Sequence, residues 1–142
     1  GSILVDGTDI RQINPHDLRK NIGAALQDAH FFNGTIRENI IFGLIGVSDE
    51  QINWAMKLTG LNYFVENHPH GLDMLIGERG EALSNGQRQS IILTRTLLRD
   101  PPILLLDEPT SMMDSPTENH IQKTSKIDIA NKIITQIISV NK

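Results

Sequence analysis

The stretch from Leu83 to Asp114 constrains this chain most, because it prescribes a helix, a break and a strand in that order. Ser84-Asn85-Gly86-Gln87 opens a run in which Ile91, Ile92, Leu93, Leu97 and Leu98 form a broad apolar face suited to packing against a sheet. Asp100-Pro101-Pro102 ends that helix, and Ile103 to Leu106 are apolar residues suited to a buried parallel strand. Two phosphate-handling devices follow. At Ser84 a small hydroxyl, a flexible backbone and unbonded N–H groups meet the positive end of a helix dipole, which is anion-binding chemistry. After Leu106 the acidic pair Asp107-Glu108 is delivered at the carboxyl end of a strand, where open α/β sheets place their ligands. One such carboxylate can hold a magnesium ion while the next orients a water for attack on a phosphate. Alone, neither device is diagnostic: most acidic pairs are surface residues, and most Ser-x-Gly-Gln stretches simply start a helix.

The order and spacing of the whole stretch resemble the nucleotide-binding domain of ABC transporters. Leu83-Ser84-Asn85-Gly86-Gln87 stands where that family's signature usually reads Leu-Ser-Gly-Gly-Gln. Ile103 to Glu108 match the Walker B strand with its glutamate, and Ser111-Met112-Met113-Asp114 match the D-loop. Farther upstream, Asn21 to Leu26 read as a small-residue strand delivering Gln27, the position that matches the family's Q-loop glutamine.

The resemblance covers Gly1 to about Asp114 and implies an α/β fold, a partial P-loop NTPase sheet with a helical subdomain from about residue 35 to 79. It further implies a head-to-tail pair of ATPase domains that sandwich two ATP molecules, each held by the P-loop of one domain and the signature of the other. Ser84, Asn85, Gly86 and Gln87 would then serve the partner's nucleotide. Asp107 would hold magnesium, Glu108 would polarise water, Gln27 would meet the magnesium and sense the γ-phosphate, and Asp114 would connect the two sites. ATP and Mg2+ are the implied cofactors. The implied partners are a second ATPase domain and a transmembrane export domain, which would hold the chain at the cytoplasmic face of the bacterial inner membrane.

Gly77-Glu78-Arg79-Gly80 before the signature looks like the loop of ABC exporters rather than importers. With His68-Pro69-His70-Gly71-Leu72-Asp73 and Asp100-Pro101-Pro102, it most resembles the ATPase part of type I secretion exporters, which move unfolded polypeptides. Two other readings stand beside it: a lipid or drug exporter, and a non-catalytic remnant that pairs with an intact ATPase.

Composition narrows the field further. A formal charge of −4 gives no basic footprint for nucleic acid. The absence of cysteine rules out disulfides and thiolate metal sites. No apolar stretch approaches the roughly 18 residues a membrane span requires.

Local signals fill in the rest. Ser2 to Val5 with Asp6-Gly7 and Thr8-Asp9-Ile10 read as a hairpin. Asn14-Pro15-His16-Asp17 starts a helix, Thr35 caps another, and Ser48-Asp49-Glu50-Gln51 is a capping-box pattern. Ile52, Ala55, Met56 and Thr59 follow at helical spacing up to a stop at Gly60, and a second short helix covers Leu61 to Asn67. Phe31 and Phe32 suit either core anchoring or docking to the membrane partner. Gly77 to Gly80 read as a flexible charged turn, and Arg88, Arg95 and Arg99 as the solvated face of their helix.

Three departures from the family pattern stand out. The chain holds no Gly-x-x-x-x-Gly-Lys-[Ser/Thr]. Because Gly1 to Gly7 match family sequence just downstream of the P-loop helix, the expectation is a piece of a longer ATPase, inactive by itself. Beyond Ser115 the pattern diverges: His120 comes too early for the family's γ-phosphate histidine, and residues 127–138 suit a strand or a helix equally. Asn85 replaces a signature glycine, and a left-handed backbone there predicts some strain and weakened phosphate binding.

Overall fold

The computed structural model describes residues 1–25 and 30–106. Gln27, Asp107, Glu108, Asp114 and the segment 115–142 lie outside the described residues.

The chain opens with an antiparallel hairpin, β1 (Leu4–Val5) and β2 (Thr8–Asp9), with Val5 opposite Thr8. Asp6 and Gly7 turn it at φ values of 50° and 76°, the left-handed pair that a two-residue turn demands. Helix α1 (Pro15–Lys20) follows; the Asn14 side chain accepts the His16 N–H at 2.9 Å and Pro15 takes the first position.

Strands β3 (Ile22–Ala25) and β4 (Ile103–Leu106) pair in parallel, Ile22 opposite Ile103 and Ala25 opposite Leu106. Parallel strands need a crossover, and helices α2 (Ile36–Ile40), α3 (Asp49–Thr59), α4 (Leu61–Asn67) and α5 (Asn85–Leu98) lie in the chain between them. In α3 the buried residues are Ile52, Ala55, Met56 and Thr59, the positions that the helical spacing predicts. Gly60 at φ 74° ends α3 and begins α4, giving the sharp corner only a residue without Cβ adopts freely.

Helix α5 is the hub, packing against α2, α3, α4 and β3. Burial along it runs almost unbroken from Gln89 to Leu97, so it is covered on more sides than the single face expected. Ile36, Ile40, Ile52, Leu61, Ile76 and Ile91 meet in the core formed by α2 to α5 and the residues before the signature. Each such side chain, fully buried, contributes roughly 1.5–3 kcal/mol. A polar seam runs through the α3–α5 contact. The Ser90 hydroxyl donates to the Thr59 carbonyl at 3.1 Å, Thr94 donates to the Ser90 carbonyl at 2.7 Å, and the Thr59 and Thr94 hydroxyls lie 2.7 Å apart. These buried hydroxyls are therefore all bonded.

Strand β3 sits tightly on α5: a Cβ on Gly23 would lie 2.4 Å from Pro101 Cγ and 2.9 Å from Thr96 Cγ2. Ala25 packs with Ile92 and Leu93 on the same face. Leu105 is 52% exposed. The sequence suggested a strand buried on both sides; within the described residues, β4 keeps one open face. Among the described residues no helix is long and apolar enough to cross a membrane.

Candidate functional site

The head of α5 is built by a capping box. Ser84, extended at φ −67° and ψ 164°, accepts the Gln87 N–H on its Oγ at 3.2 Å, and Gln87 Oε1 accepts the Ser84 N–H at 2.8 Å. The Arg88 N–H bonds the Ser84 carbonyl at 2.9 Å. That leaves the N–H groups of Asn85 and Gly86 without a partner among the described residues, and Ser84 and Asn85 are exposed. The Ser84 hydroxyl, used above as an acceptor, keeps its own proton to donate. No acidic residue stands in the first turn. Unbonded N–H groups, a hydroxyl donor and a positive helix end without a competing carboxylate fit a phosphate group.

Asn85 does not take the left-handed conformation expected of it. Among the described residues the non-glycine residues with positive φ are Asp6, Arg79 and Asp100, and Asn85 is the first residue of the helix. The strain predicted for this substitution is absent, because a first-turn residue needs only ordinary helical angles. Gly86 is likewise not among the positive-φ glycines.

The turn leading into the signature is fixed rather than flexible. Glu78–Gly80 form a 3-10 turn with Arg79 at φ 55°, a left-handed non-glycine residue. The Leu83 N–H bonds the Gly80 carbonyl at 3.0 Å, and Arg88 Nε donates to that same carbonyl at 3.1 Å. Phe31 and Leu83 would both lie 3.4 Å from a Cβ at Gly80. Such bonds hold Arg79 in a conformation that costs a side-chain-bearing residue about 1 kcal/mol or more.

Arg95 is not the solvated residue that the sequence suggested. Its Nε donates to the Asn39 carbonyl at 2.8 Å, Nη1 to the His30 carbonyl at 3.0 Å and Nη2 to Asn39 Oδ1 at 3.3 Å. The guanidinium lies 5.6 Å from the Phe31 ring centroid. Asn39 is fully buried and also bonds Phe32 N, Phe32 O and Thr35 O. Burial, and secondarily the charge of Arg99, push the Arg95 pKa down, a shift that arginine's basicity absorbs without loss of charge. Arg88 and Arg95 were missed because all but one of their acceptors, the Asn39 amide oxygen, are main-chain carbonyls. Their seven-residue spacing on an apolar helix was the signal available.

Ser84, Asn85, Gly86 and Gln87 are thus brought together at one helix end. Gln27, Asp107, Glu108 and Asp114 fall outside the described residues. Among the described residues no group of three or more His, Asp and Glu side chains could hold a metal ion.

Residues 1–111 match the family model described as ABC transporter. The chain is 45% identical over 123 residues to the uncharacterized ABC transporter ATP-binding protein YfiC of Bacillus subtilis, covering 87% of this chain and 20% of that protein. It is 46% identical over 123 residues to the ATP-dependent lipid A-core flippase of Desulfotalea psychrophila, covering 87% of this chain and 22% of the flippase. A solved bacterial Atm1-family ABC exporter with ATP bound superposes with a TM-score of 0.78 at 40% identity, over 89% of this chain and 22% of that one. The chain spans about a fifth of the length of these relatives. With its family match over most of its length and the ABC ATPase fold of an exporter, the chain belongs to the ABC transporter family.

Proposed function

We propose that this chain is part of the ATP-binding and ATP-hydrolysing domain of an ABC exporter, and that the head of α5 lends its signature to nucleotide held by a second ATPase domain. The observation that carries this reading is the uncharged, open first turn of α5, with N–H groups at Asn85 and Gly86 that have no partner among the described residues and a donor hydroxyl on Ser84. These groups would hold the γ-phosphate end of ATP, and Gln87 would keep Ser84 in place through the capping box. Bound ATP with Mg2+ supplies the phosphoryl group whose transfer drives transport.

In the sheet, Ala25 and Leu106 are register partners, so β3 and β4 end at the same edge. In sequence Asp107 follows Leu106 directly, and Gln27 and Glu108 stand two positions beyond Ala25 and Leu106. The roles proposed for them are magnesium binding by Asp107 and Gln27 and water orientation by Glu108, with Asp114 linking the paired sites. Charge placement of this kind is the main instrument of phosphoryl transfer.

Residues 35–79 form the helical subdomain in this reading, and the Phe32–Phe42 ring pair, at 5.0 Å with Phe42 55% exposed, suits contact with a transmembrane partner. The chain would work at the cytoplasmic face of the bacterial inner membrane, held there by that partner. Polypeptide export by type I secretion is the narrower proposal, resting on the sequence resemblance of Gly77 to Gly80, residues 68–73 and Asp100-Pro101-Pro102. The lipid A-core flippase among the relatives supports a lipid cargo instead. ATPase stimulation of the assembled transporter by unfolded polypeptide or by lipid A separates them.

The direct test is binding of a fluorescent ATP analogue with magnesium to the purified chain, alone and mixed with an intact ABC ATPase domain. Binding in the mixture only, lost on Ser84→Arg, is the expected result. Absence of binding in both would sink the reading. The chain alone should show negligible hydrolysis, since it contains no P-loop motif.

A further inference from the structure

A half-buried arginine usually meets a carboxylate, yet Arg95 forks onto two main-chain carbonyls and one side-chain amide oxygen. Those acceptors belong to two separate places, Asn39 in α2 and His30 just upstream of it. Asn39 in turn grips Phe32 through both its N–H and its carbonyl, at 3.3 and 3.2 Å. One side chain on α5 therefore fastens the residues 30–32 and α2 to the helix whose head carries Ser84. On the same face, Arg88 fastens the approach turn through Gly80.

Apolar packing presses α5 onto its neighbours, but the hydrophobic attraction is non-directional and does not by itself single out one rotation or axial slip of the helix. Hydrogen bonds with fixed geometry resist both. The guanidinium fork presents several donors in one plane and holds two acceptors at once, which an ammonium cannot do in the same way.

We propose that Arg95, acting through Asn39, is a positioning residue for the signature: it sets the rotation and axial height of α5, so that the Ser84 hydroxyl and the N–H groups of Asn85 and Gly86 face the nucleotide. The role rests on the nucleotide reading above. Its reporters inside the protein are the Gln87 N–H, bonded to Ser84 Oγ, and the Phe32 N–H, bonded to Asn39 Oδ1.

The test compares Arg95→Met, Arg95→Lys and Asn39→Ala with a stability-matched control, Ile52→Val, which trims a buried side chain on α3 without touching the fork. Two quantities are read on the 142-residue chain: affinity for a fluorescent ATP analogue with magnesium in the mixture with an intact ABC ATPase domain, and amide hydrogen exchange. Arg95→Met and Arg95→Lys should each lose about tenfold in affinity, the effect of roughly 1.4 kcal/mol. Exchange at Gln87 and Phe32 should quicken beyond the control at equal melting temperature. Lysine should keep the fold without restoring the affinity.

If Arg95→Lys binds like the unaltered chain, or if exchange at Gln87 rises no more than in Ile52→Val, the positioning role is overturned. If the unaltered chain binds no nucleotide in the mixture, the nucleotide reading fails, and the exchange comparison still decides whether Arg95 sets the head of α5.

Discussion

The heads of α3 and α5 are the same device with opposite endings. Both open on a Ser-x-x-Gln capping box with nearly equal bonds, 3.3 and 2.9 Å at Ser48 and Gln51, 3.2 and 2.8 Å at Ser84 and Gln87. In α3 the two residues between are Asp49 and Glu50, and in α5 they are Asn85 and Gly86. The carboxylates of α3 meet the helix dipole from inside the chain, and Asp49 is further tied to Arg37 at 2.7 Å. The positive end of α5 has no such carboxylate in its first turn, the opening that the proposed nucleotide site would use. The capping box builds a helix end; the two residues inside it decide whether that end is finished or open.

Transplanting the acidic pair should give the largest effect. Asn85→Asp with Gly86→Glu puts two carboxylates where phosphate would sit, each opposing it by about 1–4 kcal/mol at ~4 Å. Nucleotide binding in the mixture with an intact ATPase domain should fall at least about a hundredfold, while the melting temperature holds or rises through the dipole. Binding that survives the double variant would break the comparison.

Removing the caps should give a smaller and more discriminating result. Ser48→Ala and Ser84→Ala should each destabilise the chain by about 1 kcal/mol in denaturant unfolding. Only Ser84→Ala should also weaken nucleotide binding, about tenfold, through loss of the hydroxyl donor. A smaller effect again is expected of Asn85→Gly. Because Asn85 is helical, restoring the usual family glycine should cost a few tenths of a kcal/mol, roughly the propensity difference between the two residues. A gain in stability would mean that Asn85 is strained after all.

Acid gives the smallest difference. The Glu50 carboxyl is held below its ordinary value of 4.5, first by the Ser48 side chain and then by its own N–H. A depressed folded pKa means stability that is complete above the unfolded value and lost as pH falls through the folded one. Acidification below about pH 4.5 should therefore quicken exchange at the Gln51 N–H relative to the Gln87 N–H, since nothing in the first turn of α5 titrates. Equal loosening of both would show that the carboxylates of α3 contribute nothing distinctive.

The sequence was legible wherever the cause was local. Asn14 with Pro15, Thr35, Ser48 and Ser84 each mark a helix start by bonds spanning two or three residues, and the hairpin at Asp6-Gly7 needs only its own dihedral angles. Gly60 and the burial of Ile52, Ala55, Met56 and Thr59 follow from a short period in the same way. Arg95 was misread because its partners lie 56 and 65 positions away and one of them is the backbone of His30, which no residue type announces. The exposure of Leu105 depends on what covers the far side of the sheet, and an apolar run carries no information about that. The signature was legible as a motif, but the helical backbone of Asn85 was not, because a family glycine suggested a left-handed need that the fold does not have.

The acceptors of Arg95 carry a consequence for how such a domain can change over generations. Every residue type supplies the same main-chain carbonyl, so His30 can be exchanged without unfastening α5, provided the backbone path is kept. The fork reads the course of the chain and is indifferent to most of its lettering. Residues whose side chains face away from the fork and the core, such as exposed Phe42 beyond α2, can therefore change without altering the bonds that hold α5 to its neighbours.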